Sequence, residues 1–333
     1  MLHFGLLETV LIAGFVNAGL YGFLPISIIL SYRISRTIAF VHGGIAAAAA
    51  LCYWMLCFQS PEFLPGEDVV PNFLLQLGTD ANGAHRYGSR PELDPMVALL
   101  LVIGLGAFLG AAYGAIVMSR RLAGLNILTL TIISLGTMMG LIGFFQYFNV
   151  QPDSLPASPF GQHTYVFDDV PLTRHRLVTL AVVAVLSVIL GILLTRTHTG
   201  LVIRALADDQ EAGVWCGVKL RAVGTLVYAG SGALAALAGV LIAVTAGPNP
   251  ADMMLLFLNG LAIAAVGGMR SIPLAFFGAL VFSFLETALI VGLFGTVDRA
   301  VQAVVLYGAL MAIIVAVARF RKENFFLLER QSL

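Results

Sequence analysis

Two titratable residues, His42 and Glu286, lie within long apolar stretches of this chain. Such a group is costly to place in hydrocarbon, so a titratable residue in a membrane segment is often part of a proton or ion path. A proton relay needs further titratable partners, which the neighbouring sequence does not supply. We therefore expect both residues to make structural hydrogen bonds.

Side-chain amides, hydroxyls and paired glycines in the apolar stretches form a second group of candidates. Amides and hydroxyls can replace the water shell of a solute, although they can equally bridge helices. Paired glycines weaken a helix and free backbone polar groups, so we expect local unwinding at 42–44 and 267–268. The predicted lining of a solute path is Asn17, His42, Gly43, Gly44, Thr137, Asn259, Gly267 and Gly268, with Asn126 and Ser134 as further candidates.

A polar segment, residues 197–221, lies between two long apolar stretches. Its acidic residues, Asp208, Asp209 and Glu211, cluster in the middle. Residues that could form an apolar face around them are Leu201, Ala205, Ala212, Val214, Trp215 and Val218. Such a segment can lie along a membrane surface or dock into a groove on a partner, and the alternative is a solvated loop with a short helix.

The elements that must position these residues are membrane spans. Hydrophobic residues make up 59% of the 333-residue chain and charged residues 11%, and the mean hydropathy is +0.95. Apolar stretches near the roughly 18–20 residues that cross a bilayer core recur along the chain and are expected to be helical. They are 6–30, 38–58, 96–118, 127–148, 177–194, 223–244, 254–268, 273–293 and 300–318, of which the second and seventh are candidates for broken or re-entrant helices. This pattern predicts an all-α integral membrane protein, a polytopic helical bundle of about 8–10 transmembrane helices.

One stretch carries glycines at regular spacing. Gly106, Gly110 and Gly114 recur every four residues and therefore share one helix face. Small residues at this spacing let two membrane helices approach closely, so we expect a tight helix contact here.

The basic residues indicate the orientation. Those in alternate connections are Arg33, Arg36, Arg120, Arg121, Arg196, Arg204, Lys219, Arg221, Arg270, Arg319, Arg321 and Lys322. By the positive-inside rule these connections are cytoplasmic. The N-terminus and the long loops 59–95 and 149–176 then lie outside. We expect one transmembrane domain, 1–318, and a cytoplasmic interfacial tail, 319–333.

The sequence provides little for catalysis or cofactor binding. The six His are scattered, and the three Cys offer neither a disulfide framework nor a metal site. We therefore expect no enzyme activity, no metal, no cofactor and no nucleic-acid partner. The chain also lacks a GxxxxGK[ST] phosphate loop, so nucleotide-driven transport would need an ATPase on another polypeptide.

Several motifs occur in a specific order and spacing. Residues 38–43 resemble an INFAHG signature, and 199–217 resemble a cytoplasmic loop that ends in EAAxxxG, with Gly213 replacing the second Ala. Residues 235–241 are similar to an AxAGVL helix, and 264–286 to a GGxGSIPG stretch and the helix after it. Together they resemble the branched-chain amino acid permease family of ABC importers, over nearly all of the chain except the 59–95 loop.

The resemblance implies an inward transporter of small hydrophilic or amphipathic solutes in a bacterial inner membrane. Its expected partners are two ATP-binding subunits, which carry the ATP and Mg, a second and similar permease subunit, most readily a heteromeric one, and an extracytoplasmic solute-binding protein. Transport would follow alternating access. The residues implied to couple to the ATPases are Arg204, Asp208, Asp209, Glu211, Ala212, Gly213 and Gly217.

The cargo and one other class, a secondary transporter or channel, stay open at this point. Branched-chain or related amino acids are the first cargo, and the alternatives are urea or short amides, sugars or nucleosides, and aromatic acids. The departure Ala39, where the family signature has Asn, leaves this choice open. A secondary transporter or channel would need no ATPase but would usually carry ion-coupling carboxylates within its spans, where Glu286 stands alone.

Overall fold

The computed structural model describes residues 2–57, 94–119, 126–147, 155–161, 163–167, 170–269, 271–290, 301, 304–309, 311–312 and 315. In chain order its elements are α1 (Leu2–Ser35), α2 (Val41–Cys57), α3 (Pro95–Val117), α4 (Ile127–Tyr147), β1 (Thr164–Phe167), β2 (Val170–Thr173), α5 (Arg174–Arg196), α6 (His198–Asp208), α7 (Gln210–Trp215), α8 (Leu220–Ala246), α9 (Pro250–Val266) and α10 (Ile272–Ile290).

Six helices in the described part of the chain are long and apolar enough to cross a membrane: α1, α3, α4, α5, α8 and α10. Helices α2 and α9 are apolar but shorter, at 17 residues each. The predicted class, an all-α polytopic membrane protein, is confirmed. The predicted ninth span, 300–318, and the tail, 319–333, lie partly or wholly outside the described residues.

Three predicted boundaries are wrong: the end of α1, the start of α5, and the start of α8, which begins at Leu220 within the predicted 197–221 segment. Helix α1 continues to Ser35 rather than ending at residue 30, and its polar end is accommodated because the Ser31 and Ser35 hydroxyls bond to carbonyls of the same helix. Ser31 donates to the Ile28 carbonyl at 2.9 Å, and Ser35 donates to the Ser31 carbonyl at 3.1 Å. At the second boundary, α5 already begins at Arg174, within the predicted loop 149–176.

Two outer segments were predicted as loops. Part of 149–176 is an antiparallel hairpin in which Thr164 of β1 pairs with Thr173 of β2. Of the 59–95 loop, only its last two residues are described, and they start α3. The Asp94 carboxylate accepts a hydrogen bond from the Met96 amide at 3.0 Å, which caps the first turn.

The two predicted interruptions have different outcomes. Residues 42–44 form the first turn of a continuous α2, so the prediction of unwinding there is wrong. Gly43 serves close packing within this helix rather than unwinding. A Cβ there would lie 2.9 Å from the Phe257 ring. The second interruption is present: α9 ends at Val266, and Gly268 follows with φ +61°.

The described chain divides into two compact units. The first unit comprises residues 1–36, 163–220 and 258–333. In it, α1 packs against α5 and α10. The Ser283 hydroxyl of α10 donates to the Gly14 carbonyl of α1 at 2.8 Å, and the Tyr21 and Phe282 rings meet edge to face at 4.9 Å. Side-chain and backbone contacts therefore join these two helices.

The second unit comprises residues 37–162 and 221–257, in which α2 packs against α3 and α4. The predicted glycine face of α3 lies against α8, and this prediction is confirmed. A Cβ on Gly106 would overlap the Cβ of Ala236, and one on Gly110 would overlap the Tyr228 carbonyl oxygen. At Gly114 a Cβ would lie 2.5 Å from Tyr228 Cβ. The absence of side chains is thus what allows the two backbones to approach.

Candidate functional site

The predicted 197–221 segment forms two short helices, α6 and α7. Thr197 begins α6, because its hydroxyl accepts a hydrogen bond from the Gly200 amide at 3.1 Å and satisfies one of the free N–H groups of the first turn. One face of α6 is buried and consists of Gly200, Ile203 and Leu206. The helix is therefore anchored to the first unit by this apolar face.

Helix α7 is closed at both ends by residues that the sequence motif contained. The Asp209 carboxylate accepts from the Ala212 amide at 3.1 Å at its start. At its end Gly217 has φ +85°, Val218 donates its amide to Gly213 O at 3.1 Å, and the Gly217 amide donates to Val214 O at 3.0 Å. This pair of bonds is a Schellman motif, in which glycine takes the left-handed position at the lowest cost.

The apolar residues predicted as one face are largely exposed in the isolated chain. Leu201 is 55% exposed, Val214 49% and Trp215 88%. We call these three residues the docking face. Ala205 and Ala212 are also exposed, whereas Val218 is half-buried. An indole left almost wholly exposed, on a short segment that also exposes two aliphatic side chains, is typical of a surface that a partner covers.

The remaining predicted coupling residues have distinct positions. Arg204 is exposed and donates to the Thr195 carbonyl at 3.2 Å. Asp208 is exposed at the end of α6. Gly213 packs on Leu206, since a Cβ there would lie 2.6 Å from Leu206 Cδ2. Glu211 belongs to α7, but its side chain lies outside the described part of the structure.

Two side chains that the sequence did not identify join the segment to the end of α1. Arg36 Nη2 donates to the carbonyl oxygens of Ala207 at 2.6 Å and Asp208 at 2.8 Å. Gln210 Nε2 donates in return to the Ile34 carbonyl oxygen. Arg36 thus satisfies carbonyl groups at the C-terminal end of α6, and Gln210 satisfies one at the C-terminal end of α1. We call this reciprocal arrangement the α1 clamp.

The predicted path residues of the second unit are satisfied locally. His42 is fully buried, with Nδ1 2.8 Å from the Ala39 carbonyl oxygen and Nε2 2.9 Å from Ser231 Oγ. Thr137 donates to the Ile133 carbonyl of its own helix at 2.8 Å. His42 therefore makes the structural hydrogen bonds that we expected.

The further candidate Ser134 has a structural role in the same unit. Its hydroxyl accepts from the Phe40 amide at 3.2 Å and lies 3.1 Å from the Ile38 carbonyl oxygen. Both groups belong to the non-helical residues that precede α2. Ser134 thus fixes the entry into that helix.

In the first unit, Tyr21 donates to Glu286 Oε1 at 2.9 Å, which gives Glu286 its expected structural partner. Tyr307 donates to Asn259 Oδ1 at 2.8 Å. Asn17 differs from these residues, because its Oδ1 is buried and has no hydrogen-bond partner in the described part of the chain. Among the predicted path residues of this unit, Asn17 is thus the one whose buried side-chain acceptor is unsatisfied within the described residues.

The predicted path residues are not all gathered in one unit. His42, Gly43, Gly44 and Thr137 belong to the second, and Asn17, Asn259, Gly267 and Gly268 belong to the first. By contrast, all the predicted coupling residues belong to the first unit. Within the described ranges, no three metal-ligating side chains come together.

Comparison with known proteins addresses the whole chain. Residues 10–315 match the family described as the permease component of the branched-chain amino acid transport system. No curated protein and no solved structure matches the chain. The match covers most of the sequence, including the 197–221 segment and the apolar helices. The chain therefore belongs to this family, and it is a multi-pass membrane permease component of an ABC transporter that associates with ATP-binding subunits.

Proposed function

We propose that this chain is one transmembrane subunit of an ATP-driven importer of branched-chain or related amino acids in a bacterial inner membrane. A second, similar permease subunit completes the membrane pair. Two ATP-binding subunits supply the energy, and an extracytoplasmic binding protein delivers the solute. The observation that carries the proposal is the exposed docking face on a segment that is hydrogen-bonded to α1.

The docking face provides the contact with an ATP-binding subunit. Trp215 and Val214 lie on α7 and Leu201 on α6, and all three are exposed in this chain. A large aromatic anchor with aliphatic neighbours fits a groove on a partner, where its burial supplies much of the binding energy. The positive-inside pattern supports a cytoplasmic position for this face, where ATP is available.

The α1 clamp provides the route from that contact into the membrane. Movement of α6 and α7 pulls on the end of α1 through Arg36 and Gln210. Helix α1 is in turn bonded to α10 through Ser283 and Gly14, and through Tyr21 and Glu286. ATP binding that displaces the docking face would therefore reorient α1 and its neighbours, as alternating access requires.

The experiment that tests the proposal is co-purification with the ATP-binding subunits in mild detergent. Trp215→Glu replaces the most exposed side chain of the docking face with a charge, so we expect roughly tenfold or greater loss of ATP-binding subunits. Lys219→Glu is the matched control, because Lys219 is an exposed residue of the same segment outside the docking face. Both variants should still insert in the membrane.

Two results would contradict the proposal. The first is full recovery of ATP-binding subunits with Trp215→Glu, which would exclude the docking face as their site. The second is a wild-type chain that is repeatedly purified alone and well folded, with no ATP-binding subunit. That result would favour a secondary transporter or a channel.

A further inference from the structure

A cavity of about 260 Å³ opens beside the end of α1. The residues that line it are Tyr32, Arg33, Arg36, Arg204, Ala207, Asp208 and Met269, all of which belong to the first unit. The cavity is slightly smaller than the roughly 300–1,000 Å³ of pockets for drug-sized ligands. It therefore suits a small polar group better than a large apolar ligand.

The lining of the cavity is strongly basic. It carries the guanidinium groups of Arg33, Arg36 and Arg204 against the single carboxylate of Asp208, a formal excess of two positive charges. Arg33 and Arg204 line the same small cavity, so their like charges repel each other. An anion placed between them would relieve this repulsion.

The chemistry of the lining favours a phosphate group. Guanidinium groups bind phosphate through two parallel N–H···O bonds, and several arginines can share its oxygens. Arg33 lies in the last turn of α1, two residues before the end of an apolar span at Ser35. The cavity thus lies beside the end of an apolar span, and basic pockets near the ends of membrane spans bind anionic lipid headgroups.

We propose that this cavity binds a phosphate group, supplied by an anionic lipid headgroup or by free phosphate, and that the bound group ties α6 to the end of α1. Arg204 comes from α6, whereas Arg33 comes from α1. A phosphate that bonds both would hold the two helices together beside the α1 clamp. The binding needs no ATP-binding subunit and so stands apart from the proposed transport function.

The first arm of the test addresses the lipid source. The purified chain is equilibrated with mixed micelles of phosphatidylglycerol and phosphatidylcholine, and retained lipid is measured by native mass spectrometry. We expect the wild type to retain phosphatidylglycerol in preference, because the choline cation is repelled by the arginines. The second arm addresses free phosphate: the thermal midpoint is measured in inorganic phosphate and in chloride at equal ionic strength, since a ligand of the folded state raises the midpoint.

The test variant is Arg33→Gln with Arg204→Gln, and the matched control is Arg221→Gln, an exposed arginine outside the cavity. The test variant should bind phosphatidylglycerol or phosphate roughly tenfold or more weakly, because it loses two charge-assisted donors. The control should bind as the wild type does. Loss of lipid retention alone identifies the lipid headgroup as the source, and loss of the phosphate effect alone identifies free phosphate.

The proposal is overturned if the folded test variant binds both probes as the wild type does. If that variant does not fold, the wild type decides alone. A wild type that shows neither a preference for phosphatidylglycerol nor a phosphate-dependent midpoint also overturns the proposal. Neither result bears on the docking face, because ATP-binding subunits are absent from both arms.

Discussion

Several residues singled out by the motif of the 197–221 segment turn out to shape its helices. Asp209 caps the start of α7, Gly217 ends it in a left-handed conformation, and Gly213 packs on Leu206. The residues left on the surface include the docking face and the charged side chains of Arg204 and Asp208. At the residue scale, the motif therefore specifies the shape of the segment, and the exposed side chains provide its contact.

Gly217 offers a direct test of this reading. Gly217→Val should destabilise the turn after α7 by about 1–2 kcal/mol, because a β-branched residue is strained at φ +85°. A Cβ at this position would meet no atom within 4 Å. The substitution therefore tests backbone strain without steric overlap. We expect recovery of ATP-binding subunits to fall with Gly217→Val in a detergent pull-down. Gly217→Asn, which tolerates the left-handed region, should stay near the wild type, and equal recovery of both variants would refute the reading.

The sequence identified the segment but not its link to α1. The charges, the exposed aromatic residue and the glycine spacing are local signals, and they lie within 25 residues of one another. Arg36 and Ala207 are 171 positions apart, and no local pattern connects them. Arg36 follows an apolar span, where the positive-inside rule already accounts for a basic residue. Its local sequence therefore gave no indication that it also caps the end of α6.

At the element scale, apolar length predicted where the helices lie but not how they pack. Predicted and observed spans agree closely for α3 and α4, whose ends coincide with strong polar boundaries. The glycines of 42–44 were misread because paired glycines permit either unwinding or close packing, and only the neighbouring helix decides between them. The hairpin of β1 and β2 was missed because four-residue strands leave almost no periodicity to detect.

The glycine face of α3 gives a matched pair of substitutions. Gly110→Ala forces a Cβ onto the Tyr228 carbonyl oxygen, and because backbone cannot swing aside, we expect the chain to lose about 1–3 kcal/mol of stability. Gly104→Ala, on the same helix, has nothing within 4 Å and should be neutral or slightly stabilising. Thermal unfolding of the purified chain in detergent measures both. Equal midpoints for the two variants would contradict the close contact between α3 and α8.

At the scale of the whole molecule, the account depends on which side of the membrane the 197–221 segment faces. The basic residues of alternate connections predict that it faces the cytoplasm, where the ATP-binding subunits would lie. The reverse orientation would place the docking face outside, away from any source of ATP. The direction of insertion therefore decides whether the proposed coupling is physically possible.

A native cysteine reports this orientation. Cys216 is exposed next to the docking face, whereas Cys57 is buried and Cys52 half-buried. In vesicles from cells that produce the chain alone, a membrane-impermeant maleimide should label Cys216 in inside-out vesicles and spare it in right-side-out ones. Cys216→Ser should remove the label. Labelling of Cys216 in right-side-out vesicles would show that the segment faces outward and would contradict the predicted orientation.

The central claim is that the α1 clamp carries motion from the ATP-binding subunits into the membrane. The most direct measurement is the ratio of solute imported to ATP hydrolysed by the assembled transporter in proteoliposomes. The test variant combines Arg36→Gln with Gln210→Ala, and the control is Arg221→Gln. The account predicts that the double variant assembles and hydrolyses ATP while import per ATP falls by about tenfold, because it loses the charge-assisted bonds of Arg36 and the partly buried bond of Gln210. An import-to-hydrolysis ratio equal to that of the wild type would contradict the claim.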